Sequence, residues 1–193
     1  IMNEKILRTF IAVPVPADLR SKKTMLYSTI DESKGNINWV KNNQLHLTIK
    51  YLGNTPESEF ENIITNINNI TNKIVPFRLN IEKTGCFPVP ERPRVLWMGI
   101  KGILEPLHEL VMMIEESMDN LGFPKEQNDY HPHITLAKIK YPQKITPDIS
   151  LFLNSTYDPI VLEVDRVQFF SSELLPSGTI YTLIKSFPLG ETL

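Results

Sequence analysis

Apolar, β-like segments recur along the chain at Leu7 to Val13, Leu45 to Leu52, Phe77 to Cys86, Arg94 to Ile100, His133 to Lys138, Ile160 to Phe170 and Thr179 to Phe187, and each is predicted to be a strand. Between them the apolar period lengthens to that of a helix. Pro16 to Asp31 is one predicted helix. A second opens at Pro56-Glu57-Ser58-Glu59, with proline and acids in its first turn, and sets Phe60, Ile63, Ile64, Ile67 and Ile70 on one face. A third, Ile103 to Leu121, carries Leu104, Leu107, Val111, Ile114, Met118 and Leu121 at helical spacing and stops at Gly122. A shorter helix is expected over Pro147 to Asn154, and the proline-rich run from Phe87 to Pro93 is the clearest junction.

Overlaying the two sides of that junction at a shift of 87 residues lays the strand near Arg8 on the one near Val95, the helix near Ala17 on the one near Leu104, and His46 on His133. Element order and one motif repeat, while most identities do not. The reading is a weak internal duplication: two similar α+β lobes, 1–90 and 91–193, in a single bilobal domain whose terminal strands can cross between lobes.

Composition narrows the function classes. With 193 residues, 41% hydrophobic and 22% charged, the chain has ordinary globular composition, which excludes disordered and coiled-coil readings. A net charge of -2 provides no footprint for long nucleic acid, so any such partner is expected to be held over a short stretch. The single cysteine, Cys86, excludes an intrachain disulfide framework and a cysteine-rich metal site. The opening Ile1-Met2-Asn3-Glu4-Lys5 lacks the order of a signal peptide and no apolar run is long enough to span a bilayer, so the expected setting is cytoplasmic.

The repeated motif is His46-Leu47-Thr48-Ile49 and His133-Ile134-Thr135-Leu136. Strand geometry puts His46 with Thr48, and His133 with Thr135, on one face of each strand. With four histidines in the chain, two chance His-x-Thr matches have a probability of about 3%. In-line displacement at phosphorus needs one group to take a proton on one side and another to give one on the other. Two facing imidazoles, whose ordinary pKa is near ~6.5, meet that need around neutral pH. Thr48 and Thr135 would then donate hydrogen bonds to the non-bridging oxygens.

Competing chemistries are weaker. A lone strand histidine is usually a packing or surface residue, and only the repetition of the pair argues otherwise. His131 and His133, spaced by two, could share an ion, but no second histidine and carboxylate cluster completes the set. His108-Glu109 begins like a metalloprotease helix and fails at Met112. No phosphate-binding loop, nucleophile elbow or dinucleotide turn is present. Among cations near the repeated strands, Arg8, Lys50, Arg94 and Lys138, simple alternation puts Lys50 on the face of His46 and Thr48. It puts Lys138 opposite His133 unless the strand bulges first.

These residues resemble the two-histidine phosphoesterases, and within them the bacterial and archaeal RNA 2′,3′-cyclic phosphodiesterases, formerly described as 2′-5′ RNA ligases. The similarity runs from Arg8-Thr9-Phe10 and Trp39-Val40 through the blocks His46 to Gly53, Gly85 to Pro88, Pro93 to Ile100 and Pro132 to Lys138, to the final strands with Ser172 and Tyr181. It implies two pseudo-symmetric lobes of antiparallel sheet with packed helices around a central cleft, and no cofactor. It also implies hydrolysis of RNA 2′,3′-cyclic phosphate ends to 2′-phosphates, with His46 as proton donor, His133 as proton acceptor, and Thr48 and Thr135 beside them. Arg8, Phe10, Lys138 and Tyr181 are the expected substrate contacts, RNA termini or short oligonucleotides the expected partners, and a monomer with no membrane or obligate protein partner the expected state. The sequence departs from the family at Lys138, often arginine, and Tyr51, often phenylalanine. Related activities stay open at this stage: reverse 2′-5′ joining, hydrolysis of 2′-5′ oligoadenylate, ADP-ribose cyclic phosphate or an acyl-carrier conjugate, and a non-catalytic RNA-binding module.

Overall fold

The alternating segments become nine strands in the computed structural model, which describes residues 3–190; the Ile1-Met2 start lies outside the described residues. They are β1 (Ile6–Pro14), β2 (Asn38–Trp39), β3 (His46–Pro56), β4 (Phe77–Phe87), β5 (Val95–Lys101), β6 (His133–Lys138), β7 (Ile160–Val164), β8 (Arg166–Leu175) and β9 (Gly178–Pro188). The helices are α1 (Leu19–Tyr27), α2 (Phe60–Thr71), α3 (Glu105–Asn120) and the single turn α4 (Ser150–Leu153). All strand pairs are antiparallel, in the order β7-β4-β5-β6-β3-β1-β8-β9, with β2 added on β6. Among the described residues no helix is long and apolar enough to cross a membrane.

Some predicted boundaries shift. The predicted strand Ile160 to Phe170 is two strands, because the exposed pair Asp165-Arg166 breaks the alternation, and the chain passes there from β4's neighbour to β1's. The second helix starts at Phe60, since Pro56 is extended and pairs with Ile6, and Glu57–Glu59 form a 3-10 turn. Strands of each half of the chain lie among those of the other. β4 from the first 90 residues lies beside β5 and β7, while the C-terminal β8 and β9 lie beside β1.

The apolar stripes of α2 and α3 close one face of this sheet. Ile63 and Ile67 of α2, and Leu107, Leu110, Ile114 and Met118 of α3, are fully excluded from water, each contributing roughly 1.5–3 kcal/mol by burial. They pack over Leu47, Leu96, Met98, Ile134 and Leu136 on the inner face of the strands.

β3 and β6 meet at one bridge, Leu47 opposite Ile134, two residues related by the 87-residue shift. A pseudo-twofold axis therefore passes between them. Beyond the bridge the strands diverge, and their free edges need partners. On β6 these come from β2, through Asn38 opposite Lys138 and Trp39 opposite Ala137, and from the Val40 N–H donating to the Leu136 carbonyl at 2.8 Å. On β3 the partner is a side chain. Tyr130 donates its hydroxyl to the Thr48 carbonyl at 2.7 Å; separately, the Lys50 side chain ties β3 to the segment after α3, its ammonium donating to the Pro124 carbonyl at 2.8 Å and to Glu115 at 2.9 Å.

Each central strand also carries a bulge at the equivalent place. Against β1, Thr48 faces Ala12 and Lys50 faces Ile11, which leaves Ile49 unopposed; against β5, Thr135 faces Trp97 and Ala137 faces Leu96, which leaves Leu136 unopposed. A bulge inverts the parity of all that follows. Lys50 is thereby turned inward, 2% exposed, and Tyr51 outward, while Ala137 turns inward and Lys138 outward. The placement of Lys50 beside His46 and Thr48 by simple alternation is corrected: it lies under the sheet, and Lys138 takes the cleft side.

Replacing Lys50 by methionine leaves the Glu115 carboxylate, 15% exposed, without a counter-charge and with the Glu126 N–H, at 3.1 Å, as its remaining partner. We expect Lys50→Met to cost about 3 kcal/mol in urea unfolding and the double change Lys50→Met/Glu115→Leu to recover most of it. Equal stability of Lys50→Met and wild type would contradict the clamp.

Candidate active site

The His-x-Thr faces of β3 and β6 both line the groove opened by the diverging strands. His46 Nδ1 lies 2.7 Å from the Gln44 carbonyl and His133 Nδ1 lies 2.6 Å from the His131 carbonyl. A carbonyl oxygen only accepts, so Nδ1 carries the hydrogen in each ring. Each neutral imidazole then keeps its Nε2 lone pair, and the two rings are held in the same way by equivalent backbone. The Thr48 hydroxyl donates to His46 Nε2 at 3.0 Å.

Aromatic side chains back both rings. Phe10 stacks on His46 with centroids 4.9 Å apart, Phe170 stacks behind Phe10 at 5.3 Å, and Tyr181 meets Phe10 and His46 edgewise at 4.9 and 5.7 Å. On the other side Phe87 meets His133 edgewise at 5.0 Å, and Trp97 lies 6.2 Å away. Phe10 and Trp97 are a pair under the 87-residue shift. Their neighbours differ: Phe10 lies opposite Phe170, but Trp97 lies opposite Gly85, where a Cβ would stand 2.2 Å from the indole. Glycine is required there so that the ring can lie across β4.

The expected contacts fall as follows. Phe10 and Tyr181 back His46. Lys138 projects from the bulged end of β6, close enough for its charge to act on His46. Arg8 lies over Tyr51, its guanidinium 5.7 Å from the ring centroid. Tyr51 is the shift-related counterpart of Lys138, so one end of the groove carries an ammonium and the other a phenol. His131 spends its carbonyl on His133, and among the described residues no three His, Cys, Asp or Glu side chains are grouped to hold a metal ion.

Burial holds the pKa of both imidazoles below the ordinary 6.5. For His46 the bond to the Gln44 carbonyl opposes this, while the charges of Lys138 and protonated His133 add to it. For His133 the bond to the His131 carbonyl opposes burial and the charge of His131 adds to it. Burial also pushes the Tyr130 phenol far up, so it remains a donor to Thr48.

Two cavities flank the histidines. One of about 230 Å³ lies beside His46, between Pro14, Ala17, Asn43, Phe170 and Tyr181; the other, about 280 Å³, lies beside His133, between Phe87, Trp97, Lys101 and Leu104. Pro14 with Lys101 and Ala17 with Leu104 are again shift-related pairs, so the cavities are duplicated along with the strands.

The sequence pattern of the LigT like Phosphoesterase family matches residues 13–97 and 100–181, one His-x-Thr strand in each stretch. The chain belongs to this family. Among LigT-like relatives, an RNA 2′,3′-cyclic phosphodiesterase of Aquifex aeolicus is 32% identical over 153 residues, 79% of this chain and 81% of that one. A protein of the same name from Methanocaldococcus jannaschii is 28% identical over 94% of this chain and its whole length. The crystal structure of TT0787 from Thermus thermophilus superposes with a TM-score of 0.80 at 27% identity, over 96% of this chain and all of that one. The α+β LigT-like fold with its antiparallel sheet is thus shown.

Sequence reasoning did not single out Trp97, Phe87, Phe170 or Tyr130 as parts of this LigT-like groove. Trp97 had a signal, the same shift that pairs it with Phe10. Phe170 and Tyr130 had none, since their contacts depend on strand exchange and on the diverging strands.

An NMR titration of the histidine ring protons checks the electrostatics. Both His46 and His133 are expected to titrate below 6.5, and Lys138→Met to raise the His46 midpoint, by removing a positive charge, while leaving that of His133 in place. A midpoint for His46 unmoved by Lys138→Met would separate the two groups.

Proposed function

We propose that this chain is an RNA 2′,3′-cyclic phosphodiesterase, hydrolysing the cyclic end to a 2′-phosphate by acid–base catalysis between two histidines. The reading rests on the two dyad-related imidazoles, each held through Nδ1 so that Nε2 is the reacting nitrogen, that of His46 beside the Thr48 hydroxyl, in a chain whose curated relatives bear that name. His133 Nε2 accepts a proton from water as its oxygen attacks phosphorus. His46 Nε2, protonated, gives its proton to the departing 3′ oxygen, so the P–O3′ bond breaks and the phosphate stays on the 2′ oxygen. Thr48 and Thr135 donate to the non-bridging oxygens, and Lys138 offsets the charge that builds there. Both proton transfers are carried by imidazole, so no step calls for a metal ion.

The same proposal places Tyr181 against the substrate and Arg8 at the rim, while Phe10, buried behind the imidazole, acts through His46. The partner is an RNA end, the working form a monomer acting as one bilobal unit, and the compartment cytoplasmic.

Hydrolysis of a nucleoside 2′,3′-cyclic phosphate, with 2′- and 3′-phosphate products resolved and EDTA present, tests this. His46→Ala and His133→Ala are each expected to lower turnover by roughly 10²–10⁴-fold, and Thr48→Ala and Thr135→Ala by about 10- to 1000-fold. Above both histidine pKa values no proton donor remains, and below both no acceptor. Because both lie under 6.5, kcat/KM is expected to be bell-shaped with its maximum on the acid side of that value. Undiminished turnover in either alanine variant, or 3′-phosphate as product, would refute the assignment.

A further inference from the structure

The geometry points to a track for the 5′ portion of the RNA, leaving the His46 end of the groove past Lys138 and over Lys140 and entering the trough between the β2 approach and the β6 exit. The inference rests on the proposed role of His46 as donor to the 3′ oxygen. That oxygen remains on the terminal ribose, so the nucleoside and everything upstream of it must lie on the His46 side of the phosphorus, with water on the other.

The strands specify which features belong to that side. β3 begins at His46, β6 ends at Lys138, and the two run antiparallel, so Lys138 stands at the His46 end. Ile139, 3% exposed, points inward, which sends Lys138 and Lys140 outward on one side of the strand, roughly 6–7 Å apart. Among the described residues neither lysine is in an ion pair. Asn38 lies directly across from Lys138, and beyond it a trough of about 430 Å³ opens between Asn36, Asn38, Lys140 and Gln143.

That trough is built before any ligand arrives. The Asn36 N–H donates to Gln143 Oε1 at 2.8 Å and Gln143 Nε2 donates to the Lys140 carbonyl at 2.8 Å, tying the two segments together. Its acidic wall, Glu32, has both carboxylate oxygens engaged, by the Tyr27 hydroxyl at 2.7 Å and the Trp39 indole N–H at 2.8 Å. Two unpaired ammonium groups in sequence, followed by amide side chains, suit a sugar-phosphate backbone rather than a second aromatic base. The terminal nucleoside takes the cavity beside His46, Lys138 stays with the cyclic phosphate, and the phosphate preceding that nucleoside lies over Lys140. A chain of net charge -2 thus holds a short single strand through a local row of cations.

The test compares a nucleoside 2′,3′-cyclic phosphate with a single-stranded RNA of about ten nucleotides bearing the same end. Wild type is expected to turn over the RNA with kcat/KM at least about 10-fold higher at low salt, with the advantage declining as salt rises. Lys140→Glu should remove the advantage and leave the mononucleotide rate unchanged, while Lys140→Gln should lessen the salt slope by about 1. Lys101→Glu, at the opposite cavity, should alter neither. Equal kcat/KM for the two substrates in wild type, or loss of the RNA advantage in Lys101→Glu but not in Lys140→Glu, would overturn the track. If neither substrate is hydrolysed the hydrolytic reading fails, and fluorescence anisotropy with the 5′-labelled RNA decides the track alone: weaker binding by Lys140→Glu sustains it, and unchanged binding overturns it.

Discussion

Where β3 and β6 meet, Leu47 opposite Ile134 is the one backbone bridge, and both side chains are wholly excluded from water. A sheet that paired fully here would cover its central strands with ladder hydrogen bonds and leave no groove. Divergence after a single bridge opens space on the outer face while the inner face stays sealed by α2 and α3. The backbone groups so exposed cannot be left bare at modest cost, since an unsatisfied buried carbonyl costs about 1–3 kcal/mol. The braces on either side, β2 on β6 and the Tyr130 hydroxyl on the Thr48 carbonyl of β3, follow from that requirement.

Those braces are also what distinguishes the two ends. Backbone pairing supports one side of the dyad and a side chain the other, although both begin from the same duplicated motif. The paired bulges at Ile49 and Leu136 belong to the shared plan, and they bring position 51 in one half and position 138 in the other to the groove. Because these are Tyr51 and Lys138, a symmetric backbone presents a phenol at one end and a cation at the other. The aromatic walls diverge in the same manner, Phe170 packing behind Phe10 where Gly85 makes room for Trp97.

Much of this was legible in the sequence because it depends on local order. The period of two set His46 with Thr48 and His133 with Thr135, and the shift of 87 residues related the strands, helices and motifs. The bulges were not legible, for no proline or glycine marks Ile49 or Leu136, and without them alternation sends Lys50 to the groove and Lys138 away from it. β2 is two residues long and exists through its pairing with β6, so no period announces it. The exchange of β4 against β8 and β9 is a choice of neighbours among strands of similar pattern. Only the parity break at Asp165-Arg166 hinted at where the chain changes sides.

Duplication supplies two equivalent imidazoles, whereas displacement at phosphorus needs unequal ones. The asymmetry of the groove ends favours one assignment on electrostatic grounds. The Lys138 charge makes protonated His46 readier to release its proton than burial alone would, which suits the donor to a leaving oxygen proposed above. On His133 the charge that adds to burial is that of the His131 imidazole rather than of a lysine, so the two rings are lowered by different neighbours. Lowered basicity at His46 would by itself reduce its protonated fraction in the free protein. A bound cyclic phosphate, carrying negative charge between the rings, raises that fraction again at the moment it is needed, and the same anion is drawn to that end by the ammonium that made the imidazole a stronger acid.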